Sequence, residues 1–406
     1  MHWLSSHNHS EFLACPQLIR FEHGKGRDGF EPTLLIKGST LLLKYVVLGA
    51  RMQLAFAICE GRLLYALKVC DDGNNGGILW SIAEREPELN GIRGLVRGEP
   101  LVLFLFNELA VNVAWNDMPQ VGELDRLSTW ANSAAIDHVD HAAMQATVKP
   151  MIDRLHQSGL SDHEWLVLEV GGQSDWKAVH NHFVTGASSS MIDLFDSDEG
   201  NQQEQLVVWL TNNLQPSGVH HSPQVPKARG TRELTDVLLH YESRNVLIES
   251  KTLSILARDR MPNRLKLVRD TSGHVEKAFK QLRGAIRAIK SGLAVTSSEG
   301  DTLTVERDNS NHAIVLIPEL SLVDDPATYS LQFIKEFIEA TGSFPHLLDI
   351  SELLRMVQAA EMISARNPTT TPIMAFDYYL AERMKAAVAN RTLRFEMLLR
   401  FTDNGI

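Results

Sequence analysis

Hydrophobic and polar positions in the first half of the chain form short alternating or continuous apolar runs, with turn residues between them. Two pairs of these runs have hairpin spacing: Gln53–Cys59 with Leu63–Val69, and Leu101–Phe106 with Leu109–Trp115. Short connections of two or three turn residues are typical of antiparallel hairpins. The pattern predicts a β-rich domain over residues 1–195, of unknown role, either recognition or regulation.

The pattern changes in the middle of the chain, where segments with helical spacing alternate with continuous apolar segments typical of strands. Over residues 196–320 we predict a helix, a surface loop, two strands, a second helix and a third strand: Asn201–Leu214, Gln215–Gly230, Thr235–Tyr241, Val246–Lys251, Val275–Lys290 and Ala313–Ile317. Residues 321–406 are mainly helical in pattern, with a break at 367–372. The expected fold class is α+β or α/β in several domains, ending in a helical C-terminal extension over residues 321–406.

Length and composition support this division. A chain of 406 residues with 44% hydrophobic and 22% charged residues is long enough for two or three hydrophobic cores. Its three cysteines contain no CxxC pair, which argues against a disulfide framework or a cysteine zinc site. The first residues lack the pattern of a leader, and no apolar run is long enough to cross a bilayer. We therefore expect a soluble, cytoplasmic protein without a membrane partner.

Charge is distributed unevenly along the chain. The net charge is -11, yet residues 224–291 hold fifteen Lys or Arg against seven Asp or Glu, a local charge of +8 that leaves -19 elsewhere. A basic region in an acidic chain is the pattern expected when one face meets phosphates; an ordinary solvated helix surface is the alternative. The cations predicted to contact nucleic-acid phosphates lie on the second helix: Lys277, Lys280, Arg287 and Lys290.

Two of the predicted strands carry charged residues among apolar neighbours. Glu249 and Lys251 are two residues apart and share one strand face. If residues 242 and 243 form the turn, paired positions sum to 485, which places Asp236 opposite Glu249. Buried charges are costly unless they are paired or bind a metal. Asp236, Glu249 and the backbone carbonyl of Ser250 form a donor set suited to Mg²⁺, with Mn²⁺ as a substitute, and Lys251 is the candidate catalytic cation. A structural salt bridge is the alternative.

These residues resemble the PD-(D/E)xK nuclease superfamily, which has the restriction-endonuclease-like fold. The resemblance covers residues 201–319 and rests on Arg232-Glu-Leu-Thr-Asp236-Val-Leu-Leu followed by Val246-Leu-Ile-Glu249-Ser-Lys251. It implies that Asp236 and Glu249 bind metal, that Lys251 is the catalytic lysine, that Glu204 adds a further acid, and that Gln281 supports the site. Thr235 stands where the name-giving Pro is expected, and Ala285 replaces the Tyr of a Gln-x-x-x-Tyr signature.

The resulting hypothesis is a metal-dependent nuclease, a DNA endonuclease acting on double-stranded DNA in restriction or anti-phage defence. The N- or C-terminal parts are then expected to mediate oligomerisation or to bind a partner subunit. The alternative hypothesis is a catalytically inactive nucleic-acid-binding module that keeps the nuclease fold. Intact Asp236, Glu249 and Lys251 favour the enzyme, whereas the pattern leaves DNA against RNA and endonuclease against exonuclease undecided.

Overall fold

A computed structural model describes most of the chain and divides it into two compact units. The described residues are 4, 6–25, 29–70, 76–118, 124–136, 141–156, 164–170, 175–184, 188–241, 244–258, 261–323, 328–395 and 397. The first unit comprises residues 1–181, 193–195 and 255–264, and the second comprises residues 182–192, 196–254 and 265–406. Both units combine helices with sheets, so the expected α+β class is confirmed at that level.

The first unit contains five helices and nine strands within the described residues. The helices are α1 (Ser6–Ala14), α2 (Thr40–Val47), α3 (Glu86–Val96), α4 (Asp125–Ser133) and α5 (His141–His156). The strands are β1 (Leu18–Lys25), β2 (Phe30–Lys37), β3 (Met52–Cys59), β4 (Arg62–Cys70), β5 (Gly76–Ile82), β6 (Leu101–Phe106), β7 (Asn112–Met118), β8 (Leu166–Val170) and β9 (Lys177–Ala178). They form a five-stranded sheet, β1-β2-β6-β7-β9, and a four-stranded sheet, β5-β4-β3-β8.

Both predicted hairpins are present in the first unit. Strands β3 and β4 are joined by Glu60 and Gly61, whose φ angles of 50° and 76° are the left-handed values that a tight two-residue hairpin turn requires. In the second hairpin, β7 begins at Asn112 rather than at Leu109 as predicted. The reason is a longer turn, in which the Asn107 side chain accepts hydrogen bonds from the Leu109 and Val111 amides.

The second unit contains five further helices and nine further strands within the described residues. The helices are α6 (Glu199–Asn212), α7 (Arg264–Lys290), α8 (Leu331–Thr341), α9 (Ile350–Arg366) and α10 (Pro372–Asn390), with a short 3-10 helix at Leu320–Leu322. The strands are β10 (Asn181–Val184), β11 (Ser189–Ile192), β12 (Gly218–His221), β13 (Gln224–Pro226), β14 (Thr231–Glu233), β15 (Val237–Tyr241), β16 (Arg244–Ser250), β17 (His312–Ile317) and β18 (Phe344–Asp349).

One five-stranded sheet organises the second unit, with strand order β12-β15-β16-β17-β18. The first three strands are antiparallel and the last three are parallel, so the carboxyl ends of β16, β17 and β18 meet at one edge. Helix α6 packs against β12, β15 and β16. Polar residues at the carboxyl end of β16 therefore lie at an edge where several elements end together.

Helix α7 covers one face of this sheet with its apolar stripe. Val275, Leu282 and Ile286 share a buried core cluster with Leu238 of β15 and Leu247 of β16. Side chains two residues apart in a strand point to the same face. Asp236 and Glu249 therefore continue, at the strand ends, the two rows that Leu238 and Leu247 occupy in the core.

Two features of the central part of the second unit differ from the sequence prediction. The predicted loop at 215–230 contains strands β12 and β13, because backbone pairing with β15 and β14 stabilises segments that have little apolar pattern of their own. Helix α7 begins at Arg264 rather than at Val275. The residues of α7 that join the core cluster begin at Val275, and the sixteen residues from there to Lys290 span roughly 24 Å, close to the length of β16.

The predicted extension at 321–406 is part of the second unit. Its strand β18 pairs with β17 in the parallel part of the sheet, so the chain does not divide at residue 320. Arg383 of α10 and Glu352 of α9 form a fully buried ion pair at 2.8 Å, and Arg383 also donates to the Leu347 carbonyl of β18 at 2.8 Å. Backbone pairing and this ion pair together tie the C-terminal helices to the sheet. The predicted break between helices at 367–372 is confirmed by the end of α9 and the start of α10.

Candidate active site

Strands β15 and β16 bring the three predicted catalytic residues together. Val237 pairs with Ile248 and Leu238 with Leu247, which is the register predicted from the sequence. Asp236 directly precedes β15 and therefore lies opposite Glu249 by the same register. The predicted turn residues 242 and 243 lie outside the described residues, but the pairing on the strand side of them fixes the alignment.

Lys251 forms ion pairs with both carboxylates. Its Nζ lies 2.7 Å from Glu249 Oε2 and 3.2 Å from Asp236 Oδ2. Asp236 Oδ2 also accepts a hydrogen bond of 2.6 Å from the Ser250 backbone amide. One ammonium group therefore bridges two carboxylates on neighbouring strands.

Burial makes this arrangement electrostatically strained. Glu249 is 1% exposed and Asp236 is 6% exposed. Burial, followed by the negative charge of Asp236, raises the pKa of Glu249 to about 7, although Lys251 acts in the opposite direction. Burial alone would lower the pKa of Lys251, but Glu249 and Asp236 raise it above its ordinary value. The site therefore carries more negative charge than a single ammonium group neutralises.

The backbone of Ser250 is directed toward the same place. The Lys251 amide donates to the Leu316 carbonyl of β17 at 2.9 Å, so the backbone groups of Lys251 face β17. The N–H and C=O of one strand residue point to one side, and those of the next residue point to the other. The Ser250 carbonyl, like its amide, is therefore directed toward the Asp236 side of β16.

Helix α6 and strand β12 add polar groups near the site, and of these only Glu204 was predicted from the sequence. Gln203 Nε2 donates to Ser250 Oγ at 2.7 Å, and His221 Nε2 of β12 lies 2.8 Å from Glu204 Oε2. Burial raises the pKa of Glu204, and the negative charge of Asp236 acts in the same direction. The polar run Gln203-Glu204-Gln205 on one predicted helix was the only feature of the sequence that indicated polar contacts from α6. His221 gave no such indication, because its strand was not predicted.

Thr235, which stands where the resemblance expects Pro, supports the strand ends directly. Its Oγ1 donates to the Ile248 carbonyl at 2.9 Å, and the same side chain hydrogen-bonds to Glu249, which lowers the pKa of that carboxyl. A Pro at this position has no hydroxyl to make either contact. The hydroxyl has a single proton to donate, so Thr235 adds to the site one donor that a Pro would lack.

The remaining predicted residues lie on helix α7. All four predicted phosphate contacts are exposed, and we call this set the basic face: Lys277, Lys280, Arg287 and Lys290. Lys290 Nζ lies close to Gly342, which ends α8, so it is also placed to interact with the carbonyl end of that helix. Gln281 is exposed on α7, and no described contact joins it to Asp236 or Glu249.

No larger metal-binding cluster and no membrane-spanning helix occurs among the described residues. No group of three or more His, Cys, Asp or Glu side chains within the described ranges is arranged to hold a metal ion, so Glu204 does not join Asp236 and Glu249 in one cluster. In the same part of the chain, no helix is long and apolar enough to cross a membrane. Comparison with protein-family models, curated proteins and solved structures gives no significant match.

Proposed function

We propose that this chain is a metal-dependent nuclease of the PD-(D/E)xK type that hydrolyses phosphodiester bonds in DNA. The observation that carries the proposal is the convergence of Asp236, Glu249 and Lys251 at the end of an otherwise apolar pair of strands. The stability of the fold does not explain these three buried charged residues, because buried ion pairs are often less stabilising than apolar residues of similar volume. A divalent cation and a phosphate give a reason for both carboxylates and for the lysine.

The donor set fits Mg²⁺ by its chemistry. Magnesium keeps several of its waters and is usually held by one or two carboxylates, so a pair of acids is sufficient where a larger cluster is absent. Asp236 and Glu249 would hold the ion together with the Ser250 carbonyl, which is directed to the same side. A bound ion would polarise the phosphate and lower the pKa of a coordinated water. The raised pKa of Glu249 is also consistent with a carboxylate that lacks sufficient positive charge.

Lys251 supplies the chain's own positive charge to the reaction. If a cation held the two carboxylates, the ammonium of Lys251 would be able to donate to a non-bridging phosphate oxygen or to orient the attacking water. Its position one residue beyond β16 allows this change of partner without moving the strand. The Ser250 amide, which donates to Asp236 Oδ2, would hold that carboxylate in place, and the Thr235 hydroxyl, which donates to the Ile248 carbonyl, would hold the strand ends together.

The surface charge supports a polyanionic substrate. The basic face of α7 is exposed and lies on the helix that covers the catalytic side of the sheet. Cations at such a surface displace counterions from nucleic acid and give affinity that depends on salt. We assign restriction or anti-phage defence as the role implied by the resemblance, with the first unit in target recognition, oligomerisation or partner binding.

One assay tests the proposal directly. The purified protein is incubated with linear, supercoiled and single-stranded DNA and with RNA, each with Mg²⁺, with Mn²⁺ or with chelator. We expect cleavage of DNA that requires a divalent cation. Binding without cleavage in every condition would favour the inactive nucleic-acid-binding module instead.

A further inference from the structure

A short basic hairpin emerges beside the catalytic carboxylates. Strands β13 and β14 pair as a two-stranded ribbon, and we call residues 224–233 the basic hairpin. The insertion that contains it starts after β12 and returns at Asp236. The Ser222 amide donates to the Asp236 carbonyl at 2.8 Å, so the base of the insertion closes on the catalytic aspartate itself.

The base of the basic hairpin is fixed in the core. Val225 and Leu234 are 1% and 2% exposed and belong to the cluster packed under α7. Gln224 and Thr296 exchange backbone hydrogen bonds of 2.8 and 2.9 Å, which adds a third segment beside the ribbon. The hairpin is therefore a rigid projection rather than a loose loop.

The outer part of the basic hairpin is exposed along its whole length. Every residue from Pro226 to Glu233 is exposed, and Gly230 has a φ of 79°, which allows the tight reversal. Lys227, Arg229 and Arg232 stand against a single acid, Glu233. Within the described part of the chain none of the three cations forms a salt bridge, although Arg232 donates to the Glu233 carbonyl at 3.1 Å.

An ordinary solvated turn is the simpler explanation of this hairpin, but it does not account for the charge. The chain as a whole carries a net charge of -11, with fifty acidic residues against thirty-nine basic ones. Three unpaired cations within eight exposed residues run against that balance. The three cations also lie on a hairpin whose base is fixed in the core, so binding to a rigid anionic partner orders little additional backbone.

The two-stranded form of the basic hairpin suits one class of partner. The major groove of B-form DNA is about 12 Å wide and admits a two-stranded β-ribbon, whereas the major groove of A-form RNA is too deep and narrow for side-chain readout. Arg232 is four residues from Asp236, a distance of at most roughly 14 Å along an extended chain. A ribbon in the groove would therefore leave Asp236 near the adjacent phosphate backbone.

We propose that the basic hairpin enters the major groove of duplex DNA next to the scissile phosphate and selects duplex DNA over duplex RNA. This inference rests on the proposed nuclease function and assigns its substrate form. Lys227 contacts phosphates as a point charge, while Arg229 and Arg232 are able to read guanine edges with two hydrogen bonds each.

The test measures binding in the Lys251→Ala background, so that cleavage does not interfere. Fluorescence anisotropy is recorded for short DNA and RNA duplexes of equal sequence over a range of salt concentrations. The variant Lys227→Gln/Arg229→Gln/Arg232→Gln is compared with a control that removes three exposed cations elsewhere, Lys335→Gln/Lys385→Gln/Arg391→Gln. We expect the hairpin variant to lose roughly tenfold or more in duplex DNA affinity, with a salt slope lower by about 2 to 3.

Duplex RNA should bind equally weakly to both triple variants and to their parent. Equal losses for DNA and RNA, or DNA affinity equal to that of the control, would overturn the inference. The proposed catalytic function is judged separately by metal-dependent cleavage with wild-type protein. If wild type cleaves DNA but the hairpin variant binds as well as its parent, only the hairpin proposal is wrong. If binding depends on the hairpin but wild type cleaves nothing, only the proposed catalytic function is wrong.

A charge-preserving substitution separates base reading from phosphate contact. Arg229→Lys keeps the positive charge but loses the planar, bidentate guanidinium. We expect the preferred cleavage sequence to relax while the salt slope stays within error of wild type. An unchanged sequence preference in both Arg229→Lys and Arg232→Lys would show that the hairpin does not read bases.

Discussion

The raised pKa of Glu249 makes the stability of the metal-free protein depend on pH in an unusual direction. The shift from 4.5 to about 7 corresponds to roughly 3 kcal/mol, and a side chain that is 1% exposed needs no discount for solvent screening. Between these two pH values the folded protein keeps a proton that the unfolded chain has released. The contribution of this group to the free energy of unfolding is therefore complete below pH 4.5 and is lost as the pH rises through 7.

Glu249→Gln isolates this effect, because the amide cannot ionise. At pH 8 the metal-free variant should be more stable than wild type by up to about 3 kcal/mol, and near pH 5 the difference should fall below about 1 kcal/mol. For a unit of this size, each kcal/mol corresponds to roughly 2–4 °C in melting temperature. Melting curves in chelator from pH 5 to 8 measure the difference, with Glu339→Gln on an exposed face of α8 as the matched control.

Divalent metal should reverse the order at high pH. Saturating Mg²⁺ or Mn²⁺ at pH 8 should raise the melting temperature of wild type, because the ion binds the folded site and removes the repulsion between Glu249 and Asp236. Neither Glu249→Gln nor Asp236→Asn should show this rise. If Glu249→Gln is instead less stable than wild type at pH 8 and the difference does not change with pH, Glu249 is an ionised structural partner of Lys251.

Further expected outcomes concern catalysis, the basic face and the core. Lys251→Ala should abolish cleavage while retaining nucleic-acid affinity within a fewfold of wild type, and Lys251→Met, which keeps the apolar stem, should behave alike; near-normal turnover in either would remove Lys251 from the mechanism. Replacing all four cations of the basic face by Ala should lower the salt slope of binding by up to about 3.6, and an unchanged slope would place the nucleic acid elsewhere. Arg383→Met should lower the free energy of unfolding, measured by chemical denaturation, by roughly 3–5 kcal/mol, because Glu352 stays buried without its partner. The double variant Arg383→Met/Glu352→Leu should recover most of this loss, and an equal loss in both variants would contradict the prediction.

The strongly patterned elements were predictable from the sequence. The hairpin at Glu60 and Gly61 and the strand pair β15 and β16 have enough apolar residues and a short enough connection to fix their register locally. The meeting of Asp236, Glu249 and Lys251 followed from that register, because residues two apart share a face and residues with a constant sum face each other. The nuclease role of these three residues is a proposal, and metal-dependent cleavage of DNA tests it.

The missed elements depend on partners distant in sequence. Strand β12 has the sequence Gly218-Val-His-His221, which gains its extended form from pairing with β15. Strand β18 contains Pro345 and His346 and lies within a helical region, so local propensity opposed it, yet pairing with β17 and burial determine its structure. The contact between His221 and Glu204 was unpredictable for the same reason, since it needs both α6 and β12 in place.

The position of the two carboxylates within the sheet lowers the stability of the core. Asp236 and Glu249 occupy the next places in the rows of Leu238 and Leu247, where apolar residues would extend the core under α7. Burying an apolar side chain at either position would stabilise the fold by roughly 1.5–3 kcal/mol, whereas the two carboxylates now share one ammonium group. The insertion that carries the basic hairpin closes on the same aspartate, because the Ser222 amide donates to the Asp236 carbonyl. The proposed nuclease function would account for this arrangement, because a metal ion and an anionic substrate would supply on binding the stabilisation that the unliganded sheet lacks.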